Sequence, residues 1–349
     1  MNFASDNWAG AHPDIAGSLV DNAAGFAAAY GASDLDRAVA EKFNEIFERE
    51  VAVFFVGTGT AANSLALASV NRPGGVTFCH REAHMIADEC GAPEYLTGGG
   101  RLYPVDGAVG RMEPGKLLAA IGKFDPAFVH AGQPMAASIT QASEVGTVYR
   151  LDEIAAIAGI CRANEIPLHM DGARFANALA ALGATPAEMT WKQGVDLLSF
   201  GGTKNGCWCA EALVFFDPSK ASQAPFIRKR AAQLFSKSRF IAAQFSAYFE
   251  DGLWLNTARH ANAMTAQLAS HIRASKKLRL AWEPDANELF ALMNRAVMDE
   301  LKAKSAVFYE WHVPHGFSGA MGENEVLCRF VTSFATTGDE VDRFGALIG

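Results

Sequence analysis

Four short stretches carry side chains whose types and spacing could do chemistry. Ser199-Phe200-Gly201-Gly202-Thr203-Lys204-Asn205-Gly206 follows an apolar run and sets one lysine among glycines. A lysine amine placed so, with its charge disfavoured by partial burial, can attack a carbonyl carbon; outside such company it would be a solvated loop residue. His169-Met170-Asp171-Gly172-Ala173-Arg174 ends another apolar run on a carboxylate, with a cation three residues on. That aspartate could cap a helix, or it could pair with a protonated ring nitrogen. Thr58-Gly59-Thr60 lies between a β-prone run and a helical one, where free backbone N–H groups and two hydroxyls favour a phosphate. Neither the Walker A lysine spacing nor GxGxxG is present, which argues against nucleoside triphosphates and dinucleotides. The fourth stretch, His80-Arg81-Glu82-Ala83-His84, spaces two histidines as i, i+4, but the glutamate is out of step for a metalloprotease motif. A single imidazole, His84, stacked on a ring and within reach of a substrate hydroxyl, is the preferred functional reading.

These groups need a scaffold that brings them to one place. Val51 to Val56 reads as a strand that stops at Gly57, and Thr60 to Val70 as the helix after it. Asp152 to Asn164 reads as a helix, Leu168 to Met170 as a strand ending at Asp171, and Leu197 to Phe200 and Ala212 to Phe216 as further strands. From about Arg228 to His271 the pattern is helical. Shorter apolar runs follow at Glu288 to Met293 and Val326 to Phe334. The alternation predicts an α/β fold, in which ligands sit beyond the carboxyl ends of the strands. Thr58, Asp171 and Lys204 would then face one crevice, and an amine, a ring-pairing acid and a phosphate turn together describe pyridoxal phosphate.

The 349 residues suggest two packed units, 1–245 with the N-terminal segment and the large domain, and 246–349 as a small C-terminal domain. Half the residues are apolar, 19% are charged and the mean hydropathy is +0.06, which gives ample core. A net charge of -8 with scattered cations excludes a general affinity for nucleic acid or acidic membranes. There is no secretory leader pattern and no apolar run long enough for a membrane span. The six cysteines form no CxxC pair, so a cytoplasmic chain is expected. Cys207-Trp208-Cys209 reads as core packing.

Together the motifs resemble the threonine aldolases of the fold-type I pyridoxal-phosphate enzymes, and more closely their bacterial low-specificity L-threonine and phenylserine aldolase branch. The resemblance runs through FASDN at 3–7, AYG at 29–31, GTAANSLALAS at 59–69 and DECGAPE at 88–94. It continues through ITQASEVGTVYR at 139–150, LHMDGARFANA at 168–178, SFGGTKNG at 199–206 and RFVTSFATT at 329–337. It implies a large, mostly parallel seven-stranded sheet domain flanked by helices and a smaller C-terminal α/β domain. Lys204 would hold the cofactor as a Schiff base, Asp171 would pair with its pyridine nitrogen and His84 would stack on its face. Thr58, Gly59 and Thr60 would hold the phosphate. Ser5, Arg174 and Arg329 would meet the substrate carboxylate or the ring hydroxyl, and Tyr30 and Arg239 would reach a site in a neighbouring subunit of a homodimer or homotetramer. The implied reaction is cleavage of a small β-hydroxy-α-amino acid to glycine and an aldehyde. A β-eliminating lyase or an aminotransferase on the same fold is the alternative, and a non-catalytic cofactor-binding protein a third. Relatives commonly carry a second active-site histidine after an Asn-Thr pair; here the stretch is Thr140-Gln141-Ala142-Ser143, and Ala32 stands where an acid is usual.

Overall fold

Apolar runs bounded by glycine turns become strands, and in a computed structural model covering Met1–Gly349 seven of them form one sheet. They are β1 (Ala52–Val56), β2 (Gly75–His80), β3 (Arg101–Val105), β4 (Gln133–Thr140), β5 (Leu168–Gly172), β6 (Leu197–Gly201) and β7 (Glu211–Phe215), in the order β1-β7-β6-β5-β4-β2-β3. β7 runs antiparallel to both β1 and β6, and every other pairing is parallel, so six strands point one way. β5, β6 and β7 are buried along their whole length, as strands covered by helices on both faces must be.

Helices Asp34–Phe47, Phe175–Leu182, Arg239–Phe249 and the start of Leu253–Ala274 contribute to an aromatic core on one face. Phe200 is at its centre, 5.2 Å from the ring of Phe43 and 5.3 Å from that of Phe175. The helical pattern expected from Arg228 to His271 is interrupted. Helix Ala224–Arg230 ends before Ala232, which adopts φ 57°, and the next two helices are separated by Asp251 at φ 48° and Gly252 at φ 69°. Two consecutive left-handed residues break the α-helical ladder whatever the composition.

A second, antiparallel sheet has β8 (Leu278–Leu280), β9 (Glu288–Asn294), β10 (Tyr309–Trp311) and β11 (Glu325–Val331) in the order β10-β11-β9-β8. Its core of Phe3, Leu268, Phe308, Phe330 and Phe344 is separate from the first. The chain's first residues belong to it: the Phe3 N–H donates to the Val307 carbonyl at 2.8 Å and the Phe3 carbonyl accepts from Val331 N–H at 2.9 Å. Ser246, where the sequence suggests a change of unit, lies within helix Arg239–Phe249. No helix is long and apolar enough to cross a membrane.

Candidate active site

Because six strands share a direction, their carboxyl ends lie along one edge, and the residues singled out from sequence sit there. Asp171, one residue from the end of β5, is level with Thr140 of β4 and Ser199 of β6. Lys204 follows β6 in a 3-10 turn, Thr203–Asn205, and its Nζ makes neither a hydrogen bond nor an ion pair. Glycine is required around it: a Cβ on Gly201 would come within 2.6 Å of the Ala173 carbonyl oxygen, and one on Gly202 within 2.8 Å of that of Ala210. Thr58, two residues beyond β1, caps helix Gly59–Ser69 by accepting from Ala61 N–H, which leaves the N–H groups of Gly59 and Thr60 without helical acceptors. Glu211, at the head of antiparallel β7, joins this turn to the lysine loop. One oxygen accepts from Thr203 N–H at 3.3 Å, and the other would lie 3.9 Å from a Cβ on Gly59. Burial pushes the Glu211 carboxyl up to about 7.

The acid and the imidazole belong to one hydrogen-bonded chain. Asp171 is buried; one oxygen accepts from Ala173 N–H at 3.0 Å and the other from Asn63 Nδ2 at 2.8 Å. The same Asn63 amide donates to buried Glu89 at 2.9 Å, and Glu89 in turn bonds His84 Nδ1 at 2.9 Å. That bond to Glu89 is the main cause that holds the His84 imidazole above its ordinary range. Burial opposes it, Glu144 and Asp171 reinforce it and Lys204 weakens it, so all four charges act on one ring. Asn63 and Glu89 were not singled out as site residues, though both fall in stretches that carry the family likeness; Asn63 is one polar residue in an apolar helical run.

The other end of the crevice is a buried charge cluster between the two sheets. Arg174 forks onto Asp6, with Nε to Oδ2 at 2.7 Å and Nη2 to Oδ1 at 3.0 Å, and its Nη1 lies 3.2 Å from Glu288 Oε2. Arg329 Nη1 lies 3.7 Å from Glu288 Oε1, its Nη2 donates to the Ala4 carbonyl at 3.4 Å and its Nε has no partner. Both arginines were expected at the substrate carboxylate, yet Arg174 directs most of its fork at Asp6. Asp6 answers that pull: burial would raise its carboxyl, but Arg174 and Lys204 outweigh burial and hold it below the usual range. Ser5 accepts from Asn7 N–H beside this cluster.

His80 and His84 do not share a helical face, as their spacing suggested. His80 ends β2 with Nε2 3.3 Å from the Gly107 carbonyl, while His84 opens the short helix His84–Ala87. Gln141 is structural, exchanging two 2.9 Å bonds with the Tyr149 backbone. Tyr30 and Arg239 stand apart from the cluster within one chain. Tyr30 is exposed with Lys229 over its ring, and Arg239 donates to the Gly25 carbonyl at 3.3 Å. A cleft of about 610 Å³ opens at the opposite edge of the sheet among Arg49, Arg162, Trp191 and Asp196, and holds none of these groups.

The pattern described as "Beta-eliminating lyase" matches residues 2–296. A low specificity L-threonine aldolase of a Pseudomonas species (strain NCIMB 10558) is 41% identical over 310 residues, 88% of this chain and 89% of that protein. One from Pseudomonas aeruginosa is 40% identical over the same shares. A solved threonine aldolase structure from Leishmania major superposes with a TM-score of 0.92 at 26% identity, covering 99% of this chain and 98% of that one.

Proposed function

The chain belongs to the beta-eliminating lyase family and, within it, to the low specificity L-threonine aldolases, and from that membership we propose that it cleaves L-β-hydroxy-α-amino acids such as threonine to glycine and an aldehyde with pyridoxal phosphate on Lys204. The observation that carries the reading is the meeting, at one sheet edge, of an unpartnered lysine amine, a buried aspartate and an imidazole joined to that aspartate through Glu89 and Asn63.

The residues present suit that cofactor. The free N–H groups of Gly59 and Thr60 and the Thr58 and Thr60 hydroxyls would hold the phosphate, Asp171 the ring nitrogen, and His84 one ring face. When bound, pyridoxal phosphate supplies an aldehyde that captures the substrate amine and a ring that takes up the electron pair released when the Cα–Cβ bond breaks. The chain's own contribution is orientation and proton handling. Asn63 fixes the rotamer of Asp171, so its carboxylate is pre-set rather than recruited. Arg329, with its Nε unpartnered, receives the substrate carboxylate with Ser5 close by, and fixing that carboxylate selects which bond at Cα stands perpendicular to the ring. Arg174 sits behind it, aligned by Asp6. With Nδ1 bonded to Glu89, the His84 Nε2 is left to take the β-hydroxyl proton, directly or through a water.

The exposed segment bearing Val20, Phe26 and Tyr30, beside Arg239, supports a homodimer or homotetramer in which Tyr30 and Arg239 complete a neighbour's site. Six unpaired cysteines support a cytoplasmic setting. The test is incubation of the purified holoenzyme with L-threonine, L-allo-threonine and L-phenylserine, with glycine and aldehyde quantified. Equimolar glycine and aldehyde are expected. Pyruvate or another keto acid in their place would move the assignment to β-elimination or transamination.

A further inference from the structure

The arginine pair that should receive the substrate carboxylate already faces buried carboxylates of the chain itself. Glu288, at the head of β9, lies between them with one oxygen 3.2 Å from Arg174 Nη1 and the other 3.7 Å from Arg329 Nη1. Its side chain is fully buried and neither oxygen accepts a hydrogen bond. The charged groups acting on it are Arg174, Arg329, Glu144 and Asp6. With Glu288 ionised, the three carboxylates of Glu288, Asp6 and Glu144 already match the two guanidinium groups and Lys204, which also acts on Asp6, and a substrate carboxylate would be a fourth. Buried like charges at this range are not tolerated together; one of them takes a proton.

We propose that Glu288 occupies, in the free enzyme, the charge position of the substrate α-carboxylate between Arg174 and Arg329, and that a carboxylate substrate binds only as Glu288 takes up one proton. The proposal rests on the aldolase reading of the site. Protonated Glu288 then changes from competitor to donor: its O–H can point at the incoming carboxylate while the two arginines are released to it. The proton comes from solvent on binding and returns to it when glycine leaves.

The charge surroundings favour such an exchange near neutrality, since burial, with Glu144 and Asp6, pushes the Glu288 carboxyl up to about 7 against the pull of both arginines. The linkage then has a definite sign. Substrate binds to the protonated form, so affinity is greatest well below pH 7 and falls as pH rises through it. With a midpoint of about 7, the protonated share drops about tenfold between pH 6 and pH 8.

Calorimetric titration of the holoenzyme with glycine and with methylamine, at both pH values and in two buffers of different ionisation heat, reads this directly. Both ligands carry the amine, but glycine alone carries the carboxylate. Relative to methylamine, glycine affinity should fall about tenfold from pH 6 to pH 8, with close to one extra proton taken up per glycine bound at pH 8. In Glu288→Gln, a neutral donor of similar shape, both differences should vanish and glycine should follow the pH dependence of methylamine. Equal pH dependence and equal proton counts for the two ligands in the wild type would overturn the proposal even if the variant fails to fold. A wild-type holoenzyme that binds methylamine but not glycine, at either pH, would instead overturn the assignment of the site to amino-acid chemistry.

Discussion

Removing Asp6 tests whether the N-terminal segment holds the arginine fork electrostatically or merely packs against it. In Asp6→Ala, Arg174 loses its two bonds at 2.7 and 3.0 Å, and Asn287 loses one at 3.1 Å, where both members of the ion pair are at most 3% exposed. Leaving one partner of a buried ion pair unmatched costs about 3–5 kcal/mol. Glu288 limits that loss, because deletion of Asp6 removes a like charge and leaves Arg174 as its partner at 3.2 Å. The full cost should therefore emerge only in a Glu288→Gln background, and the two residues should be coupled by about 1–3 kcal/mol. At roughly 2.1 cal/mol/K of unfolding entropy per residue, 349 residues convert 3–5 kcal/mol into a fall in Tm of about 4–7 °C. Scanning calorimetry on the wild type, the two single variants and the double variant supplies the cycle. Equal losses on removing Asp6 with and without Glu288, or a loss below about 1 °C in both backgrounds, would refute the account.

Lys204→Ala should lose the visible absorbance band of the bound cofactor together with aldol cleavage, and full turnover by that variant would remove Lys204 from the mechanism. Glu89→Gln keeps a hydrogen-bond acceptor but not the charge that favours the His84 imidazolium, so the acid limb of the kcat profile should move to lower pH; an unmoved limb would deny His84 its role as base. Phe200→Ala opens a void among Phe43, Phe175 and Phe245 and should destabilise the protein by about 3–5 kcal/mol in urea denaturation. His169 is fully buried between the Ser138 and Ser199 hydroxyls, which lowers its imidazole to about 3; its ring resonances should not titrate between pH 5 and 8.

Where the placement of a group depended on local order, it was legible in the sequence. Asp171 at a strand end, Lys204 after a strand and Thr58 before a helix are each fixed by their neighbours within a few residues, and the parallel sheet then aligns them. The segments read as strands at 51–56, 168–171, 197–200 and 212–216 match β1, β5, β6 and β7 to within a residue or two. The polar partners that tune these groups lay beyond such reading. Asn63 reaches Asp171 across 108 residues, and Asn287 reaches Asp6 across 281, so no window contains both members of either pair. Glu288 opens an apolar run and resembles a strand-end surface residue; burial becomes evident only once β9 is laid beside Arg174 and Arg329. The regular spacing of the histidines at 80 and 84 crosses the junction between a strand and a new helix, so it puts them on no common face.

That residues near the start of the chain close a cluster built from its far end has a consequence for biosynthesis. Ala4 accepts from Arg329 over a separation of 325 residues, and at roughly 5–20 residues per second a ribosome takes about 16–65 s to travel between them. Asp6 waits for Arg174, 168 residues on, and then for Asn287, 281 residues on, while its apolar neighbour Phe3 waits for Phe330, so the nascent crevice stays ajar and exposed to non-native pairings until the last strand emerges.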